Sequence, residues 1–205
     1  MFSGIVAGCA RVRKIDFSAH GIPFVIHFEL GSGCSSHFLK GASLSDGESI
    51  ACDGICLTIT ATDLCCFQVQ VSEETVERTT VKFWKEGTLI NIERALRLCD
   101  LVGGHLVSGH IDGVGRILKK EKREECCYVQ IEIPHSLECY MIPKGSVALD
   151  GVSLTINNID HNTVDFMLIP YTLHNTNSEE KGVGSFVNIE ADLFGKYVKR
   201  LHECG

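Results

Sequence analysis

Short runs of apolar and β-branched residues, bounded by Gly, Asp, Asn or Ser, recur along the whole chain. In the first half they are Phe24–Leu30, Ser49–Ala51, Cys56–Ala61, Cys66–Val71 and Leu89–Ile92. In the second they are Tyr128–Ile133, Val147–Leu149, Ser153–Ile156, Val164–Leu168 and Phe186–Ile189. Runs of this length between turn residues predict strands, and about six per half predict small antiparallel barrels. Short helices are expected at Ser136–Ile142 and Thr75–Thr80. The C-terminal segment differs. Leu193, Tyr197, Val198 and Leu201 recur at helical spacing with Lys196, Lys199 and Arg200 between them, which predicts an amphipathic helix of about ten residues. Such a helix is marginal alone in water, so its stripe needs the barrels or the same helix of another subunit.

One pattern occurs twice. Ser49–Ile59 reads SIACDGICLTI, and Ser146–Ile156 reads SVALDGVSLTI. Each is an apolar run broken by Asp-Gly, a dipeptide suited to tight turns, so each predicts a hairpin. An offset of 97 relates Asp53 to Asp150, Thr58 to Thr155, Thr75 to Thr172 and Asn91-Ile92-Glu93 to Asn188-Ile189-Glu190. At the start of each half the offset is 105, relating Ser3-Gly4, Gly8 and Arg11 to Ser108-Gly109, Gly113 and Arg116. One half therefore carries an insertion of about eight residues before its hairpin. A period near 100 is too long for a solenoid and fits a duplicated domain. Leu98–Gly104 reads as the linker. The expected division is residues 1–98 and 99–190 as two barrels, with 191–205 as a helix for oligomerisation.

Composition narrows the classes. The 205 residues are 44% hydrophobic and 22% charged, as in globular chains. A net charge of -7 offers no basic stripe, which argues against nucleic acid. Eleven cysteines include no C-x-x-C pair, and most lie in strand-like runs, so reduced thiols in a cytoplasmic protein are expected. The Met-Phe-Ser-Gly-Ile-Val start lacks the features of a signal peptide, and no apolar run is long enough to span a bilayer.

Candidate chemistry is sparse. His105 and His110 sit among glycines, which suits a planar ligand held by main-chain groups but equally a simple linker turn. Their spacing argues against zinc. Cys56 and Ser153 occupy equivalent positions and are either nucleophiles or buried strand residues. Neither a G-x-S-x-G elbow nor a Walker or G-x-G-x-x-G loop is present.

Four motifs together carry a resemblance: the Met-Phe-Ser-Gly-Ile-Val start, Gly54-Ile55-Cys56-Leu57-Thr58, Gly103-Gly104-His105-Leu106-Val107-Ser108-Gly109-His110, and Asp150-Gly151-Val152-Ser153-Leu154-Thr155. In this order and over essentially the whole length, the chain resembles the riboflavin synthase family of alpha-type chains. The resemblance implies an all-β fold of two six-stranded antiparallel Greek-key barrels with a C-terminal helix that joins three subunits. It implies a transferase that dismutates two molecules of 6,7-dimethyl-8-ribityllumazine to riboflavin and 5-amino-6-(ribitylamino)uracil, with no metal and no cofactor. It allows lumazine synthase as a partner.

The resemblance also implies site residues. Phe2, Ser49, Cys56, His110, Lys144 and Asp192 match positions implicated in the chemistry. Substrate contacts in the first barrel match Gly4, Ile5, Val6, Ser49, Cys56, Leu57, Thr58, Gln70, Val71, Ser72, Glu73, Glu74 and Thr75, with His110, Ile111 and Asp112 arriving from the second half. In the second barrel they match Lys144, Ser153, Leu154, Thr155, Ile169, Pro170, Tyr171, Thr172, Leu173 and His174. The productive site would lie between the first barrel of one subunit and the second barrel of its neighbour. Two departures stand out. The family pattern leads one to expect Asn at position 53 and a Thr-rich stretch where Asn175-Thr176-Asn177 stands. A rival class shares the architecture, namely non-catalytic lumazine- or flavin-binding antenna proteins, which need only one competent pocket.

Overall fold

The computed structural model describes residues 1–31, 43–63 and 65–204. The first half forms β1 (Gly8–Phe17), β2 (Pro23–Leu30), β3 (Ser49–Cys52), β4 (Ile55–Thr62), β5 (Cys66–Gln70) and β6 (Leu89–Arg94). These close into an antiparallel barrel in the order β1-β2-β5-β4-β3-β6. Strand alternation sends Ile55, Leu57 and Ile59 inward and leaves Cys56 and Thr58 on the outer face. The interior is filled by Ile26, Phe28, Phe67, Val69, Ile90 and Ile92, with Phe28 stacked on Phe67 at 4.9 Å between centroids. A barrel this narrow is packed solid, so ligand chemistry belongs on its outside.

Helix α1 (Glu73–Arg78) starts two residues before the Thr75 expected from sequence. Ser72 sets that start, because its Oγ accepts the Thr75 N–H at 3.1 Å. Thr79 is extended and breaks the expected helix, and Thr80–Phe83 continues as a 3-10 turn.

The second half forms β7 (Gly113–Arg123), β8 (Cys126–Glu132), β9 (Ser146–Leu149), β10 (Val152–Thr155), β11 (Asn158–Asp160), β12 (Thr163–Leu168) and β13 (Phe186–Ala191). Here one strand of the expected barrel is built in two pieces. The sheet has seven strands in the order β10-β9-β13-β7-β8-β12-β11. β10 and β11 are two pieces of the strand that corresponds to β4, so the open ends of the sheet are consecutive in the chain. The first half has a register shift between Ile59 and Ala61 at the equivalent place. A bulge that merely disrupts pairing there becomes a break at Ile156–Asn157 here. The backbone stays bonded across it, Ile156 N–H to the Gly145 carbonyl at 3.0 Å and Asn157 N–H to the Asp165 carbonyl at 2.9 Å. The helix expected at Ser136–Ile142 is a 3-10 turn at His135–Tyr140. Helix α2 (Pro170–Asn175) opens on proline, whose missing N–H is harmless in a first turn. The extra residues of the first half fall in the connections on either side of β2, and residues 32–42 of the second connection lie outside the described residues.

An approximate twofold axis relates the halves. Phe2 and Val107 exchange both backbone hydrogen bonds, at 2.7 and 3.1 Å. With Ala51 and Ala148 they form a buried cluster on that axis. The Asp-Gly turns stack back to back, Gly54 against Gly151. Asn91 Nδ2 donates to the Asp150 carbonyl at 3.0 Å, and Asn188 Nδ2 donates to the Asp53 carbonyl at 2.9 Å.

Helix α3 (Leu193–Cys204) follows β13. Asp192 caps it by accepting the Phe194 N–H at 2.9 Å. Lys196 pairs with Asp112 at 2.6 Å, and Lys199 lies over the Tyr140 ring at 4.8 Å. Phe194, Tyr197, Val198 and Leu201 are 67%, 64%, 67% and 74% exposed, so the barrels of the same chain do not cover the stripe. Among the described residues no helix is long and apolar enough to cross a membrane.

Candidate active site

The repeated hairpins supply two matching outer faces. In β3–β4, Ser49 pairs with Thr58 and Ala51 with Cys56. In β9–β10, Ser146 pairs with Thr155 and Ala148 with Ser153. Each face is crossed by a strap from the other half. The Cys56 N–H donates to the Gly109 carbonyl, and the Ser153 N–H donates to the Gly4 carbonyl, both at 2.8 Å. Gly4 and Gly109 have φ of +74° and +85°. A Cβ at either would lie 2.6 or 2.5 Å from the Cβ of Ser153 or Cys56. Glycine is required at both crossings for conformation and for space.

Past each crossing the strap delivers further candidates. After Gly109 come exposed His110 and Ile111, the latter packed against the first barrel's core. After Gly4 come Ile5 and Val6, which line a cleft of about 760 Å³ with Tyr171 and Asn175 of α2 and with Arg94 and Arg97. The expectation that residues 4–6 serve the first barrel thus meets a different placement: Gly4 sits on the hairpin of the second half.

The second site has parts that the first lacks. His105 Nδ1 lies 2.8 Å from Ser153 Oγ. Its Nε2 is buried and has no hydrogen-bond partner among the described residues. Burial pulls the imidazole below the usual histidine range, against the opposing charges of Asp192 and Glu190. A neutral imidazole touching a serine hydroxyl can take and return a proton. The sequence offers His105 only as a possible ligand contact beside His110, and the site residues that the resemblance implies do not include it; an offset of 105 leaves it no partner in the first half. The surrounding GGHLVSGH motif was the available signal. Lys144 is also particular. It has φ +65° where the first half has Gly47 at +82°, and its Nζ lies 3.2 Å from Asn157 Oδ1. A lysine held in that region is strained, and such strain concentrates at functional positions.

Other candidates have structural surroundings. Phe2 is fully buried on the axis. Leu57 and Val71 belong to the first core, and Leu154 and Leu173 pack against the second. Asp112 turns to Lys196 and to the Ala191 N–H at 2.8 Å, which anchors α3. Ser72 and Thr75 cap α1, and Glu74 pairs with Arg78 at 3.0 Å. Gln70, Glu73, Ile169, Tyr171 and His174 are exposed, while Pro170 and Thr172 are half-buried. Within one chain the chemistry-bearing residues fall into two groups, Cys56 with His110 and Ser153 with His105 and Asp192.

The two departures noted in the sequence touch each other. Asn177 Nδ2 donates to Asp53 Oδ1 at 2.9 Å, and the Asn91 N–H donates to the same oxygen at 2.8 Å. Lys181 lies between the two turns, 2.5 Å from Asp150 and 3.6 Å from Asp53. Burial pushes the Asp53 carboxyl up to about 7, with Lys181 opposing and Asp150 adding to the rise.

This paired geometry has a counterpart among known proteins. The lumazine binding domain family matches twice, over residues 3–95 and 108–192. Riboflavin synthase of Bacillus subtilis is 38% identical over 205 residues, 100% of this chain and 91% of that one. Riboflavin synthase of Bacillus amyloliquefaciens is 41% identical over 204 residues, 99% of this chain and 91% of its own length. The chain belongs to the riboflavin synthase family. The Brucella abortus riboflavin synthase is 35% identical, covering 98% of both chains. Crystal structures of LumP share the fold of this family member. The complex with riboflavin aligns at a TM-score of 0.81 and 22% identity, and that with 6,7-dimethyl-8-(1'-D-ribityl) lumazine at 0.79 and 21%. Each alignment covers 93% of this chain and 99% of the LumP chain.

Proposed function

We propose that the chain is a transferase that forms riboflavin by dismutation of two molecules of 6,7-dimethyl-8-ribityllumazine, releasing 5-amino-6-(ribitylamino)uracil. The observation that carries this is the duplication of the strap crossing, over Cys56 and again over Ser153. A reaction between two copies of one substrate needs two related sites in one assembly. All atoms of the two substrates reappear in the two products, so a four-carbon unit moves without net oxidation. The C7 methyl of one lumazine is acidic because the ring delocalises the resulting carbanion, which then meets the electrophilic C7 of the partner. Orientation of two bound rings supplies up to ~7–11 kcal/mol of such a barrier, and placed proton donors and acceptors add ~10²–10⁴-fold.

In this reading Cys56 and His110 act near the reacting C7 as nucleophile or proton relay. Ser153 and His105 exchange the proton at the other ring. Lys144, Asp192 and Ser49 orient the rings, and Phe2 fixes the straps from the axis. The uncovered stripe of α3 joins three copies, which sets the first site of one subunit against the second site of its neighbour. The cytoplasm, and association with lumazine synthase, complete this reading. LumP favours the fold alone. Both hairpins here keep Leu-Thr after the reactive position, and full-length similarity is to riboflavin synthases at up to 41% identity.

Incubation of the purified protein with 6,7-dimethyl-8-ribityllumazine alone tests this, with riboflavin absorbance as readout. Tight binding without riboflavin would move the protein to the antenna class. Truncation after Asp192 should leave folded barrels as monomers without turnover, measured by sedimentation and activity. A fully active monomer would remove the inter-subunit site.

A further inference from the structure

Two buried glutamates outside the candidate chemistry hold the straps. Glu93 Oε1 accepts the Ser3 N–H and the Ser3 hydroxyl, both at 2.7 Å, and its Oε2 accepts the Gly4 N–H at 3.1 Å. Glu190 repeats this. Its Oε1 accepts the Ser108 N–H and hydroxyl at 2.6 Å, and its Oε2 accepts the Gly109 N–H at 2.9 Å. Glu93 is 6% exposed and Glu190 is 2% exposed. A buried carboxylate stays tolerable only if its lone pairs are filled, and here three donors converge on each. Burial pushes the Glu93 carboxyl up, and the Ser3 and Gly4 donors oppose that rise.

The wiring crosses between halves. Glu190 is on β13 of the second half, yet the glycine it fixes lies on Cys56 of the first. Glu93 is on β6 of the first half, yet the glycine it fixes lies on Ser153 of the second. We infer that Glu93 and Glu190 are positioning residues, each setting the reactive hydroxyl or thiol of the opposite half through a Ser-Gly strap. Neither carboxylate touches the reacting atoms, because the strap stands between. The inference deepens the function proposed above and rests on it for its catalytic meaning. The cross-wired geometry itself does not depend on that function.

The test uses the full-length protein with Glu190→Gln and Glu93→Gln. Glutamine turns one oxygen into a donor facing the strap's own N–H, so the strap should lift at glycine. Iodoacetamide labelling of Cys56, resolved by peptide mass spectrometry, reads the first site without requiring activity. Glu190→Gln should speed that labelling on the order of tenfold through local opening, while Glu93→Gln leaves it at the parent rate. Both variants should lose ~10²-fold in kcat with KM within about threefold, the pattern of lost alignment rather than lost binding. Equal labelling changes in both variants would overturn the crossed wiring. Faster labelling with unchanged kcat would overturn the positioning role. A parent protein that makes no riboflavin would sink the proposed function, and the labelling contrast would still judge the wiring. Where either glutamine variant fails to fold by circular dichroism, Ser108→Ala and Ser3→Ala keep the carboxylate and its two backbone N–H donors, and remove only the hydroxyl, which donates to the glutamate and accepts the N–H of His110 or Ile5. They should show the same contrast at smaller size, and no contrast there counts against the proposal.

Discussion

The two halves share a frame and differ at the points where chemistry could occur. Asn91 and Asn188, Gly4 and Gly109, Glu93 and Glu190 make the same bonds in both. Around the hairpin faces the pairs diverge. Cys56 stands against Ser153, Gly47 against Lys144, Ala95 against Asp192 and Ile5 against His110. His105 stands against nothing. The buried frame is duplicated because it is packed on an axis, where any change in one half must fit the other. The hairpin faces are half-exposed and free to differ. On the proposed function two identical substrates would meet unequal surroundings, and inequality is what a reaction with one donor and one acceptor requires.

The largest break in this comparison should come from His105→Ala. It removes the one candidate base without a counterpart and leaves Ser153 Oγ without its imidazole. Turnover should fall ~10²–10⁴-fold, with riboflavin affinity changed little in fluorescence titration. The acidic limb of the pH–rate profile, attributed to the lowered His105, should go with it. An unchanged kcat would mean that the halves differ in structure without differing in chemistry.

How much of this was legible beforehand follows from the kind of signal each part leaves. Repeat offsets exposed the duplication, the hairpins and the equivalence of Cys56 and Ser153, because local turn chemistry and spacing survive in one dimension. The crossing of Gly4 onto Ser153 left no such trace, since the residues are far apart in sequence and belong to different halves. The resemblance puts Gly4 with the first hairpin, whereas the fold lays it against Ser153 of the second. The split of β10 from β11 was equally hidden: Ile156-Asn157 reads as apolar then polar, like the end of any strand. Asp53 and Asn177 were visible as separate departures, and only the fold shows that they are one hydrogen-bonded pair.

Lys144 against Gly47 gives a smaller and opposite effect. A non-glycine residue at φ +65° costs ~1–2 kcal/mol relative to an ordinary conformation, and glycine returns ~0.5–1 kcal/mol of that through the unfolded chain. Lys144→Gly should stabilise the protein by about 1 kcal/mol, raising Tm by ~2–4 °C, while turnover falls. A stabilised variant with full activity would show that the strained lysine is kept for no reaction at this site. A destabilised one would show that its contact with Asn157 outweighs the strain.

The finest test concerns Asp53 and Asp150, which look symmetric and share a single Lys181. Asp53 is pushed up to about 7 in the fold, against ~3.9 for an unfolded aspartate. The folded state therefore binds its proton more tightly. The associated stability is fully present below pH ~4 and is lost as pH rises through 7, with a slope approaching ~1.4 kcal/mol per pH unit between the two values. Asp53→Asn keeps an oxygen for the Asn91 and Asn177 donors and carries no charge to lose. It also leaves Lys181 paired with Asp150 alone, which favours the ionised form of Asp150 and adds to the gain of the variant at higher pH. The stability difference, variant minus parent, should therefore be small at pH ~4 and grow in favour of Asn up to pH ~7, levelling off above it, in urea unfolding. Parallel pH curves would mean that Lys181 already keeps both carboxylates ionised across this range, and that the turns are equal in charge as well as in shape.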